Sequence, residues 1–176
     1  MLSFKSNKLK MLELRKVDES KIEDLYQVIH KCSVWMNDKK GMDHWVNYYT
    51  REVLLKKFKQ GEVYIDFVDN LPIATFSYST EPLDYYVTNN DGPKGETINY
   101  VELYPSSHLD DTKAFYLSTL AVDPDYQGKG IASKLLELVE AKAIELGCNV
   151  VRFDSRMAFK EVINFYLKRG YKKVGK

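Results

Sequence analysis

Residues Lys113–Ser133 read KAFYLSTLAVDPDYQGKGIAS, and the order of residue types in this stretch decides the fold. Phe115–Val122 is rich in aromatic, β-branched and aliphatic residues with few charges, which predicts a strand. Asp123-Pro124-Asp125 breaks it, because proline has no N–H to donate and the flanking acids favour turns. Gln127-Gly128-Lys129-Gly130 follows, and a helix is predicted to begin near Ile131. A glycine turn entering a helix N-terminus leaves several backbone N–H groups aimed at one point. The helix dipole adds positive potential there, which suits a phosphate or pyrophosphate. Gly130 is where an anion would come closest, since a Cβ would stand in its way.

Several anion binders share a strand, a glycine turn and a helix. A phosphate-binding P-loop needs GxxxxGK followed by Ser or Thr, whereas Lys129 here precedes Gly130. A dinucleotide fingerprint needs GxGxxG directly after its strand. Ser133 holds the third glycine position, and five residues separate Val122 from Gly128, although Asp154 ends the next strand as a ribose-binding acid would. An ordinary strand-to-helix turn is the remaining reading of the loop taken alone.

Leu120-Ala121-Val122, an acidic turn and then Gln127-x-x-Gly130-x-Ala132 resemble the pyrophosphate loop of the GCN5-related N-acetyltransferases (the GNAT family), usually Arg/Gln-x-x-Gly-x-Gly/Ala. Phe165-Tyr166-Leu167-Lys168-Arg169-Gly170-Tyr171 resembles the family's FYxxxGF segment, one helix and one strand downstream. The resemblance covers about Met11 to the end. It implies an acyl-CoA N-acyltransferase fold of the α/β (α+β) class: a mixed, mostly antiparallel central sheet flanked by helices. It also implies acetyl-CoA as co-substrate, held by Leu120, Ala121, Val122, Gln127, Gly128, Lys129, Gly130, Ile131, Ala132 and Ser133. Two departures stand out. The family often places Asn seven residues before the motif tyrosine, where this chain has Phe159, and many members continue through another strand after Tyr171. The missing strand would leave a sheet edge open to pairing with a second copy of the chain, so a homodimer is one expectation.

The chain has 176 residues, which predicts one domain over 11–176 after a loose polar extension at 1–10. It is 44% hydrophobic and 29% charged, with 26 Lys+Arg against 25 Asp+Glu. A net charge of +1 gives no global field to draw nucleic acid or an anionic membrane. No apolar run approaches the roughly 18 residues of a membrane span, no signal-peptide core opens the chain, and Cys32 and Cys148 read as reduced thiols. A cytoplasmic protein is expected, and the dispersed histidines predict no metal site.

In chain order, Leu12–Val17 predicts a strand. Ser20-x-x-Glu23 reads as a capping box before a helix with Ile22, Leu25, Ile29 and Cys32 inward. His30 is expected at the surface. Trp35, Met36, Gly41, Met42, His44, Trp45, Tyr48 and Tyr49 form an aromatic and thioether cluster that would serve either a pocket or a core, and family resemblance favours the acceptor side of a pocket. Thr50 caps a further helix ending at Gly61, and Glu62–Ser79 reads as a hairpin turning at Asp69-Asn70. Thr97–Tyr104 could add a strand. A helix with Leu135, Leu136, Val139 and Ala143 inward, a strand at Asn149–Phe153, a helix at about Phe159–Arg169 and a strand at Tyr171–Val174 complete the pattern.

Acetyl transfer needs the cofactor held, the carbonyl polarised, the amine deprotonated and the thiolate protonated. Backbone N–H groups of Leu120–Val122 could polarise the carbonyl. Tyr166 reads either as a packed aromatic or, as the resemblance implies, as the catalytic acid, protonated at neutral pH. No single base stands out among Glu81, Asp84, Glu102, His108, Asp110 and Asp111, and a water relay would also serve. Residues 81–113 carry seven acids against two bases, together with Tyr85, Tyr86, Tyr100 and Tyr104, which points to a small cationic amine, even one with several charges. The expected activity is direct transfer of acetyl from acetyl-CoA to that amine. A non-catalytic acyl-CoA sensor or interaction module is the alternative.

Overall fold

The protein is described by a computed structural model covering residues 13–81, 97–101, 113–156 and 158–175. The extension at 1–10 and the residues Asp84, Glu102, His108, Asp110 and Asp111 lie outside the described residues. The strands are β1 Glu13–Val17, β2 Glu62–Val68, β3 Leu71–Ser79, β4 Thr97–Val101, β5 Ala114–Val122, β6 Val150–Arg156 and β7 Lys172–Gly175. The helices are α1 Ile22–Lys40, α2 His44–Tyr48, α3 Arg51–Gln60, α4 Ile131–Glu145 and α5 Lys160–Lys168. Among the described residues the strands form one mixed sheet in the order β1-β2-β3-β5-β6-β4-β7, in which only β5 and β6 are parallel.

Alternation along β2 divides the core between the two faces of this sheet. Val63, Ile65 and Phe67 pack with Leu25, Val28, Ile29 and Cys32 of α1 and Leu54 of α3. On the other face, Phe76, Phe115, Leu117 and Val151 pack with Leu135, Leu136, Val139 and Ala143 of α4 and with Tyr166 of α5. The helical stripes expected from residue spacing are therefore the buried ones.

One local expectation fails, and three others hold but gain a physical account. Ser20 does not cap α1. Asp18 instead caps a 3-10 turn at Glu19–Lys21, accepting from the Ser20 backbone N–H at 2.9 Å and from its hydroxyl at 2.5 Å. His30 is exposed as expected, but it is stacked on Tyr26 at 5.3 Å. Gly61 ends α3 for want of space rather than for a left-handed conformation. Its φ is −176°, and a Cβ there would lie 1.7 Å from the Tyr78 carbonyl oxygen. Finally, β4 arises from the long connection between β3 and β5 and pairs with both β6 and β7. The outer side of β6 is thus filled from within the chain, and the sheet ends at β7.

Asp66 on β2 is fully buried beside the bulge at Asp66/Phe67, and neither carboxylate oxygen has a hydrogen-bond partner. Burial pushes its pKa up to about 6, outweighing the backbone N–H groups of Glu13 and Phe67, which favour the charged form. A carboxyl whose folded pKa is raised binds its proton more tightly in the native state. Its ionisation therefore costs stability progressively from about pH 4 upward, and the full cost is reached above about pH 6. Asp66→Asn should stabilise the protein by on the order of 2 kcal/mol at pH 7.5 and by almost nothing at pH 4. Thermal melts of both proteins at the two pH values check this; equal effects at both would contradict it.

Candidate active site

The site opens where the two parallel strands part. β5 and β6 pair only from Ala114↔Val150 to Tyr116↔Arg152. Beyond that point the register of β5 against β3 slips between Thr75 and Ser77. Thr119 lies there at φ +50°, a conformation that β-branched residues rarely adopt. Ser77 Oγ lies 2.8 Å from Ser118 Oγ and 2.7 Å from Thr119 Oγ1, so a small hydroxyl cluster holds the bulge. Leu117–Val122 and Phe153–Arg156 then flank a cavity of about 620 Å³ that reaches α1, α2 and α5.

One end of this cavity meets the turn before α4. Asp123 organises that turn: its carboxylate accepts the Asp125 N–H at 2.9 Å, and its backbone N–H donates to Ile73 O at 2.7 Å. Lys31 of α1 donates to Asp123 at 2.8 Å and to Asp125 at 2.7 Å. The two acid partners hold the Lys31 pKa well above its ordinary value. Gly128 and Gly130 have φ of +73° and +80°, and a Cβ on either would meet no protein atom within 4 Å. Helix α4 has no side-chain cap and no acid in its first turn, so its first N–H groups face open space. An uncapped helix start behind two exposed glycines fits a pyrophosphate.

The ten expected cofactor residues separate into three groups. Leu120, Ala121, Val122, Gln127, Gly128 and Ala132 line the cavity. Lys129, Gly130 and Ser133 lie on the turn and first helical turn beside it. Ile131 is 3% exposed and its side chain belongs to the core, leaving only its backbone for a ligand. Two side chains fold inward: Gln127 Nε2 donates to Val122 O at 3.2 Å, and Lys129 Nζ donates to Asp125 O at 3.0 Å while lying 4.7 Å from the Tyr126 ring centre. Any anion contact from these positions falls chiefly to the backbone.

Tyr166 of α5 lines the cavity at 7% exposure, with ring contacts to Phe153 at 4.4 Å, Phe165 at 5.3 Å and Tyr171 at 5.9 Å. Phe159, at the start of α5, presents an apolar wall where the family often has Asn.

The other end is built from α1, α2 and α3. Trp35, Met36, His44, Trp45, Tyr48 and Tyr49 line the cavity, while Met42 is buried and does not line it. Asp154, which lies inside β6 and does not end it because the strand continues to Arg156, joins them, and its charge helps burial raise the Tyr49 hydroxyl far above its ordinary pKa. Burial, aided by the Arg156 charge, lowers the His44 pKa to about 4, so its imidazole is neutral at pH 7. Cys32 also lines the cavity and donates to Val122 O at 3.2 Å; burial pushes its pKa up to about 12, which keeps it a thiol. Glu81 does not line the cavity.

Two facts about these residues were out of reach of sequence reasoning. Asp154 was visible as a strand-ending acid, but under the dinucleotide pattern it pointed to a ribose. Lys57 and Arg156 gave no signal at all, since only the packing of α3 and β6 against one space brings them together.

The model of the Acetyltransferase (GNAT) family matches residues 42–171. The chain belongs to the GNAT acetyltransferase family. It is an acyltransferase, and the GNAT co-substrate is acetyl-CoA. No curated protein matches it in sequence. Among solved structures, the fold is similar to a GNAT-family acetyltransferase of Listeria monocytogenes, with TM-score 0.71 and 14% identity over 94% of this chain and 88% of that one. It is also similar to the PaiA N-acetyltransferase of Thermoplasma acidophilum in complex with coenzyme A, with TM-score 0.66 and 18% identity over 93% and 91%. A third is a predicted acetyltransferase of Clostridium acetobutylicum solved with acetyl-CoA, with TM-score 0.60 and 16% identity over 94% and 93%. At these identities the likeness is one of fold.

Gly130→Asp places a carboxylate in the open space before α4. It should weaken CoA binding by more than about 100-fold, because the new carboxylate repels the phosphates and itself occupies the bare helix start. The fold should survive, because Asp tolerates left-handed backbone better than most residues. Calorimetry with CoA, alongside a thermal melt, checks both halves.

Proposed function

We propose that this GNAT enzyme transfers the acetyl group of acetyl-CoA directly to the primary amine of a small, cationic acceptor, without an acyl-enzyme intermediate. The observation that carries the proposal is one continuous cavity, with an uncapped helix start suited to an anion at one end and aromatic side chains with a carboxylate at the other.

In this reading, Leu120–Val122 lie along the acyl arm of the cofactor, and their backbone N–H groups polarise the thioester carbonyl. The pyrophosphate sits against Gln127–Ser133. The acceptor arrives as an ammonium and must lose a proton before attack. Asp154 is the cavity carboxylate suited to accept it, directly or through one water. The amine nitrogen then bonds to the carbonyl carbon, the C–S bond breaks, the departing thiolate takes the Tyr166 hydroxyl proton, and the second proton lost from the new amide nitrogen returns to the Tyr166 phenolate, directly or through water. Direct attack is favoured because the one cavity thiol among the described residues, Cys32, is held protonated by burial and so is a poor acyl carrier.

Removing the hydroxyl by Tyr166→Phe should lower kcat by about 10²–10⁴-fold while changing CoA affinity by less than about threefold. Asp154→Asn should depress kcat/KM most at low pH, where the least free amine is present. Thiol-release kinetics from pH 6 to 9, with an acceptor that turns over, test both. An unchanged kcat in Tyr166→Phe, with chemistry rate-limiting, would leave that hydroxyl without a catalytic task. Binding of acetyl-CoA with no acceptor ever acetylated would favour the sensor reading.

A further inference from the structure

The segment suited to the pyrophosphate is not held in shape by hydrogen bonds of its own. Among the described residues, no backbone N–H from Gly128 to Ser133 donates to a protein acceptor. Gly128 and Gly130 both lie at positive φ. Glycine has more conformations open to it than any other residue, so keeping these two in one of them costs entropy. The side chains between them add no outside anchor, since Gln127 and Lys129 fold back onto Val122 O and Asp125 O. The conformation of the segment is therefore set by its flanks, helix α4 on one side and the turn Asp123–Gln127 on the other.

That turn is tied to the rest of the protein from two directions. From the sheet, Ile73 O of β3 accepts the Asp123 N–H at 2.7 Å. From α1, Lys31 Nζ donates to Asp123 Oδ2 at 2.8 Å and to Asp125 Oδ2 at 2.7 Å, and the next residue, Cys32, donates to Val122 O at 3.2 Å. Within the turn, the Tyr126 N–H donates to Asp123 O at 2.8 Å and the Asp123 carboxylate accepts the Asp125 N–H at 2.9 Å. One ammonium holding two carboxylates fixes the orientation of the turn as well as its distance from α1, which a single pair would not do. The Asp123 carboxylate is 8% exposed, so this half of the tie is largely shielded from salt. Among the described residues, Lys31 is the one cation bonded to either carboxylate.

Resting on the reading that the pyrophosphate lies against Gln127–Ser133, we infer that Lys31 is a positioning residue for the cofactor. From α1 it holds the Asp123–Asp125 turn so that the unpartnered N–H groups after it are aimed at one point before the cofactor arrives. Lys31 acts through the turn and does not touch the cofactor. What it supplies is order in advance: a loop already in its bound conformation loses less entropy when the phosphates bind, and the difference appears as affinity.

The test is calorimetry of the full chain with CoA, with a thermal melt of each variant alongside. Lys31→Met should weaken CoA binding at least about fivefold, because the loop must then be ordered at the moment of binding. That variant also leaves the Asp123 carboxylate buried without a partner, so a second variant separates position from charge and from misfolding. Lys31→Met combined with Asp123→Asn removes one positive and one negative charge, which leaves the net charge of the trio unchanged. The Asn side-chain oxygen can still accept the Asp125 N–H. This double variant should show the same loss, and it decides if Lys31→Met alone does not fold. Lys31→Arg, whose planar fork can reach both carboxylates, should bind CoA within about twofold of the parent. A tie that merely stabilised the fold would lower the melting temperature and leave CoA affinity unmoved. CoA affinity at the parent's value in the double variant, or no rescue by Lys31→Arg, overturns the inference and leaves the pyrophosphate reading standing. If the parent itself does not bind CoA, the pyrophosphate reading fails, and this inference fails with it.

Discussion

Everything in this molecule that can do chemistry depends on two parallel strands that cannot stay together. β5 and β6 share three paired positions and then diverge, where the bulge at Thr119–Leu120 shifts the register of β5 against β3. The bulge forces a threonine to φ +50°, a conformation costing of order 1–3 kcal/mol in an unsupported chain. The Ser77 hydroxyl lies within 2.8 Å of those of both Ser118 and Thr119 there, offsetting the ladder bonds that the bulge removes. The gap so opened receives polar backbone from one strand and side chains from the other. A sheet that paired regularly along its whole length would have no room between β5 and β6 for a substrate.

Helix α1 is the element that joins the two ends of the cavity. Its middle carries Lys31, which clamps the Asp123–Asp125 turn, and its C-terminal end carries Trp35, Met36 and Lys40, which face the acceptor side. Lys31 is half exposed, so solvent screening keeps the net stabilisation of its ion pairs small, of order 1 kcal/mol or less. Their value is geometric: they hold the entry to α4 at a fixed distance from the acceptor wall. Lys40 makes a second such tie, to Glu161 at the start of the helix that bears Tyr166. Elements carrying the cofactor loop, the acceptor wall and the candidate acid are thereby linked through one helix.

The site is partly legible in the sequence. The glycine turn could be read because its function demands particular backbone: Gly128 and Gly130 do adopt positive φ, and α4 begins uncapped behind them. Tyr166 could be read because it sits in a spaced motif. The base could not be read, because an acid's role depends on what it faces. Six candidates were drawn from residues 81–111 by charge and expected position. Glu81 is outside the cavity, and Asp154, inside β6, faces it only because β6 splays from β5. The aromatic cluster was ambiguous for the same reason. Trp35 and Tyr48 look alike in sequence whether they cover a core or line a space.

Sequence alone determined the elements and their faces, since period-3.6 and period-2 apolar spacing follow from helix and strand geometry and need no partner. It also determined the family, through two motifs whose residues serve backbone conformation. Tertiary structure alone decided three other matters: that β4 crosses over to lie between β6 and β7, that Gly61 is required by a carbonyl seventeen residues away, and that Asp154 and the α1–α2 rings share one wall. Each is a contact between segments distant in the chain. Such contacts are set by packing and strand divergence, and local propensity carries no record of either.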